Sequence, residues 1–396
     1  MNNGACTSHT GAKFCAGLCL LITLSVPASG QIARKDVIGY LPSWKWNSGN
    51  ALSNPASIPY EKLTVINYAF FAPLPDGTIA GKVEGADRRY LTGNPESTLV
   101  SLAHRHGVKV LLSIGGWDDS GNFPLVASTG ALRATFAHSC LEAVRNYDLD
   151  GIDIDWEFPG YADHGGSPAD RRNFTLLLSA VRDSLNNQPG KRCLLTAALP
   201  AGGEHVKNME VEKIAGLLDQ LNIMTYDFHG SWDSLANHNS PLYPSAGSDP
   251  SRCVDASFRQ YRDIHGVPPS RINIGVPFYG HAYANCVALN TRHAGEDTVH
   301  FPRGGAFASA IARMAGKFTR HWDDDAQVPY LVSTAWRVLV SYDDEESVRA
   351  KARYVMDNGI HGVIIWEITA DNMPDGTTPL LDALTSALES ASPPVH

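Results

Sequence analysis

The chain has no CxxC and no HExxH, so cysteine and histidine spacing offers no zinc site. No GxGxxG follows the first strand-like run, which removes the usual dinucleotide-binding signal. No cofactor and no metal are therefore expected. Positive charge is scarce: 32 Lys and Arg against 41 Asp and Glu give a formal net charge of −9. That balance argues against nucleic acid and against an anionic membrane surface, both of which need a basic patch. It suits a neutral or cationic polysaccharide. Low-complexity tracts and like-charge blocks are also missing, which argues against disorder. With 43% hydrophobic and 18% charged residues over 396 positions, the chain can bury a large core.

The first thirty residues differ from the rest. Lys13 is the only Lys or Arg among them, an apolar run follows from Phe14 to Val26, and Ala28-Ser29-Gly30 supplies small residues. This layout predicts a signal peptide over 1–30 and a secreted protein, extracellular or periplasmic, with no membrane attachment after removal. The run is short for a membrane span, and an uncleaved anchor is the alternative. Cys6, Cys15 and Cys19 lie in this segment. Cys140, Cys193, Cys253 and Cys286 remain, enough for two disulfides with three possible pairings, or for four buried thiols.

Eight short β-branched or aromatic runs recur downstream: 37–41, 63–70, 108–114, 151–156, 194–199, 221–225, 272–277 and 362–366. Amphipathic stretches of helical length separate most of them, as over 131–147, 170–185 and 346–357. Alternation of this kind predicts an α/β fold with a parallel sheet, and eight repeats predict closure into a (β/α)8 TIM barrel. An open doubly wound sheet is the alternative. About 65 residues separate Gly280 from Asp344, far more than one crossover needs. They predict a small α+β insertion domain, 281–344, after the seventh strand. The catalytic barrel then takes 31–280 and 345–396, and the insertion should wall a cleft at the carboxyl ends of the strands.

The most informative stretch is Asp150-Gly151-Ile152-Asp153-Ile154-Asp155-Trp156-Glu157-Phe158-Pro159. Side chains alternate along a strand, so Asp153, Asp155 and Glu157 share one face, and Ile152, Ile154 and Trp156 the other. The apolar set packs under the helices; the acids point into the barrel, with Glu157 highest. Buried acids are costly, and a barrel interior normally holds Val, Ile and Leu. A calcium loop fails, because Phe158 and His164 stand where an EF-hand counted from Asp153 needs Gly and Glu. Close carboxylates cannot all ionise, so one proton is shared and a neighbour's pKa rises. Asp155 can hold that proton while Glu157 donates its own as general acid. Asp150, on the opposite parity, reads as structural.

These residues match the DxxDxDxE signature of glycoside hydrolase family 18, the chitinases, and the resemblance extends over essentially all of 36–385. Its carriers are Gly39-Tyr40-Leu41-Pro42-Ser43-Trp44, Asn67-Tyr68-Ala69-Phe70, Ser113-Ile114-Gly115-Gly116-Trp117, Met224-Thr225-Tyr226-Asp227-Phe228-His229-Gly230-Ser231-Trp232-Asp233, Gly275-Val276-Pro277-Phe278-Tyr279-Gly280 and Trp366. The long gap after the seventh strand resembles the chitinase insertion domain. The resemblance implies hydrolysis of β-1,4 links between N-acetylglucosamine units, with retention and assistance from the substrate. Glu157 would protonate the glycosidic oxygen and later activate water. The 2-acetamido oxygen would be the nucleophile, Asp155 would orient that group, Asp153 would exchange a proton with Asp155, and Tyr226 would hydrogen-bond the acetamido group. Tyr40, Phe70, Gly116, Trp117, Met224, Asp227, Tyr279 and Trp366 are the expected substrate-binding residues, with Trp366 the floor under the distorted sugar. Ser113 and Gly115 are small and leave room for the acids. The partner implied is chitin or a chito-oligosaccharide, and a monomer is expected. His281 departs from the family, where Arg is common after the Gly. Two other functions share the same strand: an endo-β-N-acetylglucosaminidase acting on N-glycans, and a non-catalytic chitin-binding lectin.

Overall fold

The computed structural model describes residues 1, 7–8, 34–45, 49–82, 86–94, 96–302 and 305–390. The signal peptide expected over 1–30 falls almost wholly outside them. Eight parallel strands follow one another around a barrel: Asp36–Pro42, Val65–Pro73, Lys109–Gly115, Gly151–Asp155, Leu194–Pro200, Gln220–Met224, Ile272–Pro277 and Gly362–Trp366. The first pairs with both the second and the eighth, which closes the sheet. The open-sheet alternative is thereby excluded.

Side-chain parity builds two separate layers from these strands. Ile152, Ile154 and Trp156 face outward into the core between barrel and helices. There the Trp156 ring stacks on Phe123 at 5.2 Å and meets Phe174 edge-on at 5.6 Å. The covering helices run Gly130–Asn146, Asp170–Asn186 and Glu345–Asp357, within a residue of their sequence-predicted limits. Capping explains two of the starts. The Thr129 hydroxyl accepts the Leu132 N–H, and Asp344 with Ser347 forms a reciprocal capping box.

The inner layer is unusual for a barrel. Apolar groups such as Ile38, Val65, Leu111, Ala198 and Ile364 share it with fully buried Asn67, Ser113, Asp153, Asn222 and Asn273. Strand register sets the level of each polar group: Ser113 pairs with Asp153, and Asp153 with Thr196. Three hydrogen-bonding side chains therefore stand in one row.

At the start of the fourth strand, Asp150 is bound by His104 at 2.8 Å, Lys191 at 3.0 Å and the Val110 N–H at 2.8 Å. That is the structural role expected of it.

Between the seventh and eighth barrel strands lies a five-stranded antiparallel sheet. It comprises Tyr279–Ala284, Ala306–Phe307, Thr319–Asp323, Val328–Ser333 and Val338–Ser341, with helix Ala308–Met314 beside it. Its first strand begins at Tyr279, so the sheet takes in two residues ahead of the expected boundary at 281. Cys140, Cys193, Cys253 and Cys286 are free, buried thiols; the disulfide alternative is not realised. Among the described residues no helix is long and apolar enough to cross a membrane.

Candidate active site

The carboxylates climb the inner face of the fourth strand, each in a different environment. Asp153 is fully buried and accepts four hydrogen bonds. Tyr40 and Ser113 donate to Oδ2 at 2.9 and 2.8 Å; Thr196 and Asn222 donate to Oδ1 at 2.5 and 3.1 Å. Burial pushes Asp153 above the usual carboxylate range, and these four donors pull it back. Asp155, one layer higher, is buried too, yet its Oδ1 has no hydrogen-bond partner. Burial, then the charges of Glu157 and Asp153, push it well above its ordinary value. A proton shared by the pair therefore rests more cheaply on Asp155 than on Asp153.

Glu157 stands half-buried at the mouth. Burial, then the charges of Asp227 and Asp118, push its carboxyl up to about 8. Its backbone is held from both sides. The Glu157 N–H donates to Ser120 Oγ at 2.8 Å, and His164 Nδ1 lies 2.6 Å from its carbonyl. Ser120 Oγ in turn donates to the Gly116 carbonyl at 2.8 Å. Gly115 makes the close approach possible: at φ +110°, a Cβ there would lie 2.1 Å from the Asp155 carbonyl oxygen. Three peptide bonds are cis: Glu157–Phe158 and Trp366–Glu367 just past the carboxyl ends of their strands, and Ala69–Phe70 inside Val65–Pro73, where its register with the third barrel strand shifts.

Across from the acids, Tyr226 is buried beside Met224. Burial and the charges of Asp155 and Glu157 hold its phenol well above the ordinary range, so it is a neutral donor. Asp227 follows in the left-handed region, φ +56°. Its Oδ1 accepts the Tyr279 hydroxyl at 2.7 Å and lies 2.8 Å from His281 Nε2. The departure at 281 therefore places an imidazole on Asp227.

The aromatics divide into a lining and its support. Trp366 is half-buried over the centre and stacks on Phe70 at 5.6 Å, with an interplanar angle of 16°. Phe70 is backed by Trp44 at 6.1 Å. Trp117 is 51% exposed at the rim, against His164 and Tyr161. Two expected sugar contacts need correction. Tyr40 is 1% exposed beneath Trp366 and spends its hydroxyl on Asp153; a sealed ring cannot stack on a sugar. Phe70, 5% exposed, likewise supports Trp366 from behind. Gly116 is also buried, and a Cβ there would strike the Phe70 ring at 2.4 Å, so its part is to admit that ring.

A sequence comparison decides the family. The profile of Glycosyl hydrolases family 18 matches residues 36–371. The chain belongs to glycosyl hydrolase family 18. Chitinase A1 of Niallia circulans is 34% identical over 429 aligned positions, covering 91% of this chain and 61% of that protein. The family-18 chain thus spans about three-fifths of that relative's length. The crystal structure of Ostrinia furnacalis group IV chitinase superposes with a TM-score of 0.82 at 28% identity, covering 90% of this chain and 100% of that one. A family-18 N-acetylglucosaminidase from Paenibacillus barengoltzii gives 0.75 at 32% identity, covering 89% and 99%. As a family-18 member the chain is a glycoside hydrolase.

Several groups around this family-18 centre carry no local signal. Thr196 and Asn222 serve Asp153 from two other strands, and Ser120 holds Glu157 from the 3-10 helix Trp117–Asn122. Each looks unremarkable in sequence until the barrel register is known. Ser113 is read from sequence only as small; it is also a donor.

Proposed function

We propose that this chain is a secreted chitinase that cleaves β-1,4-linked N-acetylglucosamine polymers with retention, using the substrate's own acetamido group as nucleophile. The carrying observation is the graded acid ladder: Asp153 with four hydrogen-bond donors, a buried Asp155 whose Oδ1 has no partner, and a half-buried Glu157 at the mouth. Glu157 gives its proton to the glycosidic oxygen as the bond breaks. Asp155 and Tyr226 then hold the acetamido nitrogen and oxygen, so that the oxygen closes on the anomeric carbon. The four donors on Asp153 let it take negative charge as its neighbour's proton shifts. Water, deprotonated by Glu157, opens the ring from the same face. Apart from Asp155, the carboxylates whose charge acts on Glu157 are Asp227 and Asp118, and the Oδ1 of Asp227 is already engaged by Tyr279 and His281. That supports a nucleophile supplied by the substrate.

The Trp366 face suits the apolar side of a pyranose, with Trp117 and Tyr279 as further walls. The test is a product time course on chitotetraose and on a high-mannose glycopeptide, after export is checked by sequencing the mature amino terminus. Release of short chito-oligosaccharides from the first alone is expected. Cleavage of the glycopeptide alone would favour an endo-β-N-acetylglucosaminidase. Binding of chitotetraose without cleavage would mark a lectin.

A further inference from the structure

Asp227 sits in a backbone region that a side chain with a Cβ seldom adopts, directly after Tyr226. Its surroundings show what holds it there. Asn239 is fully buried, and all its polar groups are engaged. Its Oδ1 accepts the Asp227 N–H at 2.8 Å, and its Nδ2 donates to the Tyr279 carbonyl at 3.2 Å. Its own N–H donates to Ser341 Oγ at 2.7 Å, and its carbonyl accepts the Phe228 N–H at 3.0 Å. With the Tyr279 hydroxyl on Asp227, these bonds close a ring of three residues: Asn239 to Asp227, Asp227 to Tyr279, Tyr279 to Asn239.

The next residue anchors the ring. Ser240 Oγ donates to the Thr225 carbonyl at 2.6 Å and accepts from Lys351 Nζ at 2.7 Å. Lys351 is paired with Asp343 at 2.8 Å, and both are buried. Removing one partner of such a pair strands a charge, so this anchor resists movement. Residues 239–240 therefore tie the turn after the sixth barrel strand to the insertion sheet and to the helix behind it.

We propose that Asn239 is a positioning residue for the hydrolytic reaction, fixing Asp227 and Tyr279 as one unit beside Glu157. Only one amide orientation serves both contacts, oxygen to the Asp227 N–H and nitrogen to the Tyr279 carbonyl. Aspartate would set an oxygen against that carbonyl, and alanine would lose both bonds. The groups facing Asp227 are Glu157, Tyr226, Tyr279 and His281; those facing Glu157 are Asp118, Asp155, Asp227 and Tyr226, with His164 on its carbonyl. Losing the fixed Asp227 charge lets Glu157 release its proton at lower pH, so the basic limb of activity moves down.

This inference rests on Glu157 being the acid. Asn239→Ala and Asn239→Asp are compared with wild type on chitotetraose, each alone and combined with Asp227→Asn. In Asn239→Ala, kcat should fall at least about 10-fold with little change in KM, and the basic limb should drop by about half a pH unit or more. In the Asp227→Asn background the same change should add no further shift of that limb. If Asn239→Ala does not fold, Asn239→Asp carries the same readout. A basic limb that stays in place, or an equal shift with and without Asp227, overturns the role of Asn239. A wild type that cannot cleave chitotetraose overturns instead the reading of Glu157 on which it rests.

Discussion

Replacing Glu157 by Gln should stabilise the protein, and only above a definable pH. The folded carboxyl is held up to about 8, against 4.5 for an ordinary glutamate. Below 4.5 both folded and unfolded chains keep the proton, and the two proteins should melt alike. Between 4.5 and 8 the unfolded chain releases a proton that the folded chain retains, so rising pH favours unfolding of wild type. Above 8 both states are ionised and the difference levels off. At 1.36 kcal/mol per pH unit, the ceiling is about 5 kcal/mol. Water at the mouth and the coupling to Asp155 reduce this to about 2–3 kcal/mol, or a few degrees of Tm. Thermal melts at pH 4, 6 and 8 check it, because Gln is neutral throughout. The Tm advantage of the variant should be near zero at pH 4 and largest at pH 8. A pH-independent difference, or a variant less stable at pH 8, would refute a raised Glu157.

Other substitutions probe the neighbouring parts. Asp155→Asn should lower kcat by two orders of magnitude or more and change the shape of the pH profile; an unaltered profile would remove Asp155 from the proton relay. Thr196→Val deletes one donor to Asp153, a bond to a charged group worth about 1.5–3 kcal/mol. It should cost about 10- to 100-fold in kcat, and a wild-type rate would show that Asp153 need not carry charge. Trp366→Ala should raise KM for chitotetraose while chemical denaturation shows the barrel intact; an unchanged KM would deny that ring its place under the sugar.

How much could be read from sequence follows a physical line. The alternation of β-branched runs with amphipathic helices is a local property, and it predicts the barrel and the parity of Asp153, Asp155 and Glu157. What each acid touches is not local. Thr196 and Ser113 reach Asp153 because their strands flank it in register, and Asn222 reaches it from the next strand but one. Tyr40 shows the same limit from the other side. An aromatic near a strand end reads as a sugar platform, and only the packing of Trp366 above it shows that the ring is sealed and the hydroxyl committed. Asn239 lies in a loop with no periodicity, and its role exists only through three segments that meet in space. Burial alone separates the thiol and disulfide readings of the four cysteines no better, since spacing says nothing about which sulfurs approach. The structure leaves all four unbridged.

The central claim is that Glu157 is the proton donor, and turnover of chitotetraose by Glu157→Gln tests it most directly. The amide keeps the shape of the acid but cannot give up a proton. Loss of kcat by about 10³-fold or more is expected, with oligosaccharide binding, followed by tryptophan fluorescence, still close to wild type. Turnover near the wild-type rate in the folded variant would contradict the account.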